Sequence, residues 1–137
     1  MLIAVNAGNS RVLLGGYEED GQVFSASIAT EPKLTRDDYA CKLQQVLLLY
    51  GVNVRRIHGG IVSSVVPSMV GVLEGALRLL GIRDVIEVSS GVKTGLNIRS
   101  EQPRQVGSDR VAAAVAARAK GKLPCVAITL GTATTFT

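Results

Sequence analysis

The chain has 137 residues, of which 47% are hydrophobic and 19% are charged, so it is long and apolar enough to bury a core. This composition argues against a disordered protein, and no apolar stretch reaches the length that spans a membrane. The net charge of +4 comes from dispersed lysines and arginines, and tryptophan is absent, so we expect no nucleic-acid partner. We expect a cytoplasmic protein, without a membrane partner, that binds an anionic small molecule.

The first thirty residues predict an antiparallel meander of three strands. Apolar runs at residues 2–5, 12–17 and 22–28 are separated by the polar turn at residues 6–10 and the acidic turn at residues 18–21. A helix is predicted over residues 36–50 because its apolar positions recur at helical spacing.

The middle of the chain predicts a parallel strand at residues 60–66, a helix between Pro67 and Gly81, and a strand at residues 85–88. Residues 89–105 lack periodicity and predict a long functional loop. An alanine-rich helix capped by Ser108 follows, and then a strand at residues 125–130.

The order β-β-β-α-β-α-β-α predicts an α/β fold of the ribonuclease-H-like type, with a mixed β-sheet and helices on both faces. The last strand and its Gly-Thr turn then repeat the character of the first strand and its Gly-Asn-Ser turn. We therefore expect one domain over residues 1–122 and, over residues 123–137, the first strand of a second, similar domain.

Two turns combine glycine, which lets backbone approach a ligand closely, with hydroxyl and amide side chains that suit phosphate oxygens. The candidate phosphate-binding residues are Asn6, Gly8, Asn9, Ser10, Gly131 and Thr132. Neither turn is a Walker loop or a dinucleotide fingerprint, and each one alone is also compatible with an ordinary hairpin.

A third candidate site is the segment Gly107, Ser108, Asp109 and Arg110 at the start of a helix, where free amide groups favour anions. Asp109 would accept a proton from a substrate hydroxyl while Arg110 holds a carboxylate or phosphate. The alternative is simple helix capping with Arg110 in solvent. Lys93 in the long loop is either a ligand contact or ordinary surface, and His58 is interpreted as structural.

The two cysteines, Cys41 and Cys125, lack the spacing of a metal site. We expect both to be reduced and buried. They are therefore assigned no chemistry.

Five segments in order along the chain resemble the type III pantothenate kinases, a family of the acetate and sugar kinase, heat-shock and actin superfamily. They are Gly-Asn-Ser at 8–10, Ser-Ser-Val-Val-Pro at 63–67, Gly-Val-Lys-Thr-Gly-Leu at 91–96, Gly-Ser-Asp-Arg at 107–110 and Gly-Thr-Ala-Thr-Thr at 131–135. The resemblance implies ATP-dependent phosphorylation of pantothenate to 4′-phosphopantothenate, the first step toward coenzyme A. It places Asp109 as the proton acceptor, and Lys93 and residues 107–110 at pantothenate.

The resemblance also implies Mg²⁺ near Asn6, a monovalent cation (K⁺ or NH₄⁺) near Thr129, and a dimer or a hetero-oligomer with a chain supplying the second domain. Three positions depart from the family pattern: Asn6 and Thr129 replace acidic residues, and Ser100 replaces an aromatic one. The alternative hypothesis is therefore a catalytically degenerate homologue that serves as a scaffold or accessory subunit of an active kinase.

Overall fold

A computed structural model describes residues 1–89, 91–121 and 123–137, and the chain forms two compact units, Met1–Glu87 and Val88–Thr137. The elements of the first unit are β1 (Leu2–Ala7), β2 (Arg11–Glu18), β3 (Gly21–Ala29), α1 (Arg36–Leu49), β4 (Gly59–Ser64), α2 (Pro67–Leu79) and β5 (Val85–Glu87), with a 3-10 turn at Val54–Arg56. Those of the second unit are a 3-10 turn at Pro103–Gln105, α3 (Ser108–Ala119), β6 (Ile128–Leu130) and β7 (Thr134–Phe136). The predicted domain boundary at residue 122 stays a prediction.

The first unit is built on a five-stranded mixed sheet of order β3-β2-β1-β4-β5. The first three strands pair antiparallel, whereas β4 lies parallel to β1 and β5 lies parallel to β4. The predicted meander, the parallel strand and the α/β class with a mixed sheet are thereby confirmed. Because β1 and β4 run in the same direction, their carboxyl ends meet at one edge of the sheet.

One face of this sheet carries the core, because alternate strand residues point to opposite faces. The buried strand residues are Ile3, Val5, Ala7, Val12, Leu14, Phe24 and Val62. Helices α1 and α2 contact each other and contribute Tyr39, Leu43, Leu73 and Leu77 to the same core, so both helices cover the same face. The intervening residues Leu2, Leu13 and Ile61 are exposed on the other face.

The boundaries of α1 and α2 follow from their terminal residues. Thr35 caps α1 in a capping box with Asp38, and Pro67 occupies the first turn of α2. Gly51 and Gly81 follow the two helices with φ of 67° and 91°, a conformation that ends a helix at little cost only for glycine.

The second unit differs in two details from the sequence prediction. Gly107, not Ser108, is the residue that precedes α3, and Ser108 is the first helical residue, so the predicted Ser108 cap is wrong. The last strand covers only Ile128–Leu130 of the predicted 125–130, and it pairs antiparallel with β7 in a two-stranded hairpin.

Both cysteines are free but exposed, so their predicted burial is wrong. Cys41 lies on α1, whose buried side is formed by Tyr39, Leu43 and Leu47, so its side chain points to solvent. Among the described residues, no helix combines the length and apolar composition needed to cross a lipid bilayer.

Candidate functional site

The first candidate turn lies at the edge where the carboxyl ends of β1 and β4 meet. Residues 8–10 connect β1 to β2, and Asn6 on β1 lies directly beside Ser63 on β4. Asn9 and Ser10 are exposed, whereas Gly8 is half-buried. Ligands of open α/β sheets bind outside the carboxyl ends of parallel strands, which is the position of this turn.

Asn6, on β1 just before this turn, is the candidate for a cation ligand. Its Oδ1 atom is buried and has no hydrogen-bond partner in the part of the chain that the structure describes. A buried carbonyl oxygen without a partner is costly, and a hard cation such as Mg²⁺ prefers oxygen ligands. The residue therefore fits a magnesium ligand, although a single amide oxygen binds Mg²⁺ more weakly than a carboxylate.

The backbone of this turn is held from two sides. Gly8 N–H donates to the Arg11 carbonyl at 2.9 Å, which closes the turn. Thr30, just after β3, donates its hydroxyl to the Gly8 carbonyl at 2.8 Å. Sequence reasoning did not single out Thr30, because a lone threonine at the end of a strand carries no motif.

The segment from Gly107 to Arg110 forms the amino end of α3. A Cβ atom placed on Gly107 would lie 2.5 Å from Oδ1 of Asp109, so the Asp109 carboxylate occupies the space that glycine leaves open. Ser108 is buried and Asp109 is half-buried. The positive end of the helix dipole favours a carboxylate there.

The Arg110 guanidinium forms hydrogen bonds to other residues of the second unit. It donates from Nε to the Thr137 hydroxyl and from Nη2 to the Phe136 carbonyl, both at 3.2 Å. It thus joins the start of α3 to the end of β7. Its predicted contact with a carboxylate or phosphate stays a prediction.

Lys93 is exposed on the loop that precedes α3. This loop is tied to the helix by Arg118, whose guanidinium donates to the Gly95 carbonyl. Further along the loop, Leu96 N–H donates to the Thr94 hydroxyl at 3.3 Å. His58, interpreted from the sequence as structural, lies before β4 with Nδ1 3.2 Å from the N-terminal nitrogen.

The second candidate turn connects β6 to β7. Gly131 and Thr132 are exposed in this turn, and Thr129 on β6 is exposed directly opposite Thr135. The assignment of a monovalent cation to Thr129 stays a prediction.

The structure therefore groups the predicted residues by unit. Asn6, Gly8, Asn9 and Ser10 belong to the first unit, and the others belong to the second: Lys93, Gly107, Ser108, Asp109, Arg110, Thr129, Gly131 and Thr132. Within residues 1–89, 91–121 and 123–137, no three histidine, cysteine, aspartate or glutamate side chains are arranged to hold a metal ion.

Comparison with known proteins gives one consistent result. The chain is 40% identical over 136 residues to a type III pantothenate kinase from Syntrophotalea carbinolica and 36% identical over 137 residues to one from Geobacter sulfurreducens. Each alignment covers 99% of this chain and 53% of the relative, so the chain spans about half the length of these curated relatives.

A solved structure from Porphyromonas gingivalis, described as a candidate N-acetylglucosamine kinase, shares the fold with a TM-score of 0.50 and 16% identity. The match covers 69% of this chain and 37% of that one. The family model for type III pantothenate kinases matches residues 2–137. The chain therefore belongs to the type III pantothenate kinase family.

Proposed function

We propose that the protein containing this chain phosphorylates pantothenate with ATP and forms 4′-phosphopantothenate and ADP. The observation that carries the proposal is the family match over residues 2–137, which includes the turns at residues 6–10 and 131–135 and the Asp109 segment. Because the chain spans about half the length of these relatives, the proposal concerns the activity of the intact protein.

In this proposal the turn after β1 holds the phosphates of ATP. Backbone N–H groups and the exposed side chains of Asn9 and Ser10 are donors of the kind that phosphate oxygens accept. The Gly131–Thr132 turn is assigned the same task in the second unit. Phosphoryl transfer depends mainly on positioning and charge stabilisation, and fixed donors of this type supply both.

Asp109 is proposed to orient the hydroxyl of pantothenate and to accept its proton as the hydroxyl oxygen attacks the γ-phosphorus. The half-buried carboxylate lies at the amino end of α3, in the space that Gly107 leaves open. Lys93 and Arg110 are assigned to the carboxylate of pantothenate, since both are cations at the surface of the same unit.

Asn6 is the residue that would hold Mg²⁺, because its buried Oδ1 lacks a protein partner among the described residues. Mg²⁺, when bound, neutralises charge on the β- and γ-phosphates. A monovalent cation, K⁺ or NH₄⁺, near Thr129 and a dimeric or hetero-oligomeric assembly are further parts of the proposal, and they are based on the family alone.

The experiment is a coupled assay of ADP formation by the intact protein, with Mg²⁺ and K⁺ and with pantothenate or other small hydroxy acids as acceptor. The proposal expects ADP release that requires pantothenate, and product that carries the transferred phosphate. ADP release that another hydroxyl compound supports better would contradict the substrate assignment.

A second candidate is a homologue that binds nucleotide without turnover and completes an active partner. The specific observation in its favour is Asn6, an uncharged residue where the family has an acid, together with Thr129 and Ser100. ATP binding without ADP formation by the intact protein, in the presence of pantothenate, would support this candidate over the kinase.

A further inference from the structure

Thr30 contacts the proposed phosphate turn through two hydrogen bonds although it lies 22 residues after Gly8. Its hydroxyl donates to the Gly8 carbonyl at 2.8 Å, and its backbone N–H donates to the Ser10 carbonyl at 3.0 Å. The hydroxyl contact is partly buried. A residue outside the turn thus fixes two of the carbonyl groups within it.

The first of these bonds determines the direction of a peptide plane. In a trans peptide the carbonyl oxygen and the following N–H point in opposite directions. With the Gly8 carbonyl bound to Thr30, the N–H of Asn9 points away from Thr30. This N–H is one of the donors that the turn has for an anion.

The Thr30 hydroxyl is thus a side-chain restraint on the orientation of the Gly8–Asn9 peptide plane. Glycine at position 8 tolerates backbone rotations that other residues resist, so without the hydroxyl the Gly8–Asn9 peptide would be able to turn over. A rotated peptide would direct its carbonyl oxygen, not an N–H, toward bound phosphate. The partial negative charge of that oxygen would then repel the phosphate. The second bond comes from the backbone, so exchange of the Thr30 side chain removes only the first.

We propose that Thr30 is a positioning residue for the nucleotide phosphates, which acts by holding the Gly8–Asn9 peptide with its N–H directed at the anion. This inference rests on the proposed function, because it takes the turn as the phosphate site. Thr30 itself touches no substrate atom in this role.

The test compares three variants of the intact protein. Thr30→Val keeps the shape of the side chain and removes the donor, and Thr30→Ser keeps the donor. Ser27→Ala is the matched control, because Ser27 lies on β3 opposite Leu13 and its hydroxyl accepts from Arg11 Nη1 at 3.1 Å, so the variant also removes a hydroxyl from this part of the sheet. Each variant is assayed for the KM of ATP, the KM of pantothenate, kcat and the Kd of ATP by calorimetry.

Thr30→Val is expected to raise the KM and Kd of ATP about tenfold, with the KM of pantothenate within about twofold of wild type. Thr30→Ser and Ser27→Ala are expected to stay within about twofold of wild type for ATP. Thr30→Ala gives the same comparison if Thr30→Val does not fold.

Unchanged ATP binding in Thr30→Val would overturn the inference, and so would an equal loss for both substrates or a Thr30→Ser variant as impaired as Thr30→Val. Failure of the proposed function would give a different result, because wild type would then bind ATP without turnover. The Kd of ATP for Thr30→Val, compared with that for wild type, would still decide the role of Thr30.

Discussion

In the second compact unit, Oδ1 of Asp109 lies 2.5 Å from the point where a Cβ atom on Gly107 would stand. Carbon and oxygen atoms without a bond between them do not approach so closely. Any residue other than glycine at position 107 must therefore displace the carboxylate that is proposed to receive the substrate proton.

Gly107→Ala is accordingly expected to lower kcat about 10- to 100-fold, because a misplacement of about 1 Å in a reacting group has an effect of this size. The KM of ATP should change little. Steady-state kinetics of the intact protein measure both constants.

The matched control is Gly71→Ala on α2, where a Cβ meets no atom within 4 Å. It should leave kcat unchanged and stabilise the helix by about 0.5–1 kcal/mol. Equal kcat values for the two variants would contradict the role given to Gly107.

Asn6→Asp tests the environment of the buried Oδ1 atom. A carboxylate there would place an unpaired charge in a buried position, at a cost of about 3 kcal/mol or more. The variant should therefore unfold at lower temperature than wild type in EDTA, and Mg²⁺ should restore more of its stability than it adds to wild type. Thermal unfolding with and without Mg²⁺ is the measurement.

Asn9→Asp is the control for this experiment, since Asn9 lies three residues away in the same turn and is exposed. Its melting temperature should depend little on the substitution or on Mg²⁺. An Asn6→Asp variant that behaves like Asn9→Asp would show that position 6 does not hold a cation.

The amino end of α1 gives a prediction about pH. The Thr35 hydroxyl and the Thr35 backbone N–H both donate to the Asp38 carboxylate, at 2.7 and 2.9 Å, and hold its pKa below the ordinary value of 3.8. Because the folded-state pKa is lowered, this stabilisation is complete above pH 3.8 and is lost as the pH falls through the lower folded value. Unfolding measured from pH 6 down to pH 2 should show a loss that Asp38→Asn removes and Asp37→Asn retains.

The cap itself has a separate, pH-independent part. Asp38 N–H donates to the Thr35 hydroxyl at 3.2 Å, so Thr35→Ala leaves an amide of the first helical turn without its partner. We expect a loss of about 1 kcal/mol of unfolding free energy at neutral pH. Chemical denaturation of Thr35→Ala checks this value. Thr35→Ser is the control, and we expect its stability to be close to that of wild type.

Arg118→Ala is expected to loosen the loop that carries Lys93, because the guanidinium donates to the Gly95 carbonyl. Amide hydrogen exchange should become faster over residues 91–101, and the KM of pantothenate should rise about tenfold, the equivalent of one hydrogen bond to a charged group. Lys120→Ala, an exposed cation two residues further along, should change neither quantity. Unchanged exchange in Arg118→Ala would show that the contact does not hold the loop.

Local signals in the sequence were sufficient for the strands and helices of the first unit. The polar turn at residues 6–10 separates two apolar runs, and Pro67, Gly51 and Gly81 mark helix boundaries, so each element follows from neighbouring residues. The exposure of Cys41 does not follow from neighbouring residues, because burial depends on which side of α1 packs against the sheet. The same limit applies to Ser108, whose place in the helix depends on the conformation of Gly107.

The candidate site was predictable only where its residues form short motifs. Each of the segments 6–10, 107–110 and 131–135 is a continuous stretch of sequence. The chemistry of its side chains can therefore be recognised without knowledge of the fold. The contacts of Thr30 with Gly8, of Arg118 with Gly95 and of Arg110 with Thr137 join residues 22–27 positions apart. Such pairs exist only after the chain has folded, so the sequence contained no signal for them.

The most direct test of the central claim is the Asp109→Asn variant of the intact protein, assayed for transfer of the γ-phosphate of ATP to pantothenate with substrate binding measured in parallel. The variant keeps the shape of the side chain and removes its capacity to accept a proton. We expect wild type to form phosphorylated pantothenate, and Asp109→Asn to bind both substrates but to lose at least about 100-fold in kcat. Turnover at the wild-type rate in the variant would contradict the assignment of Asp109 as the proton acceptor.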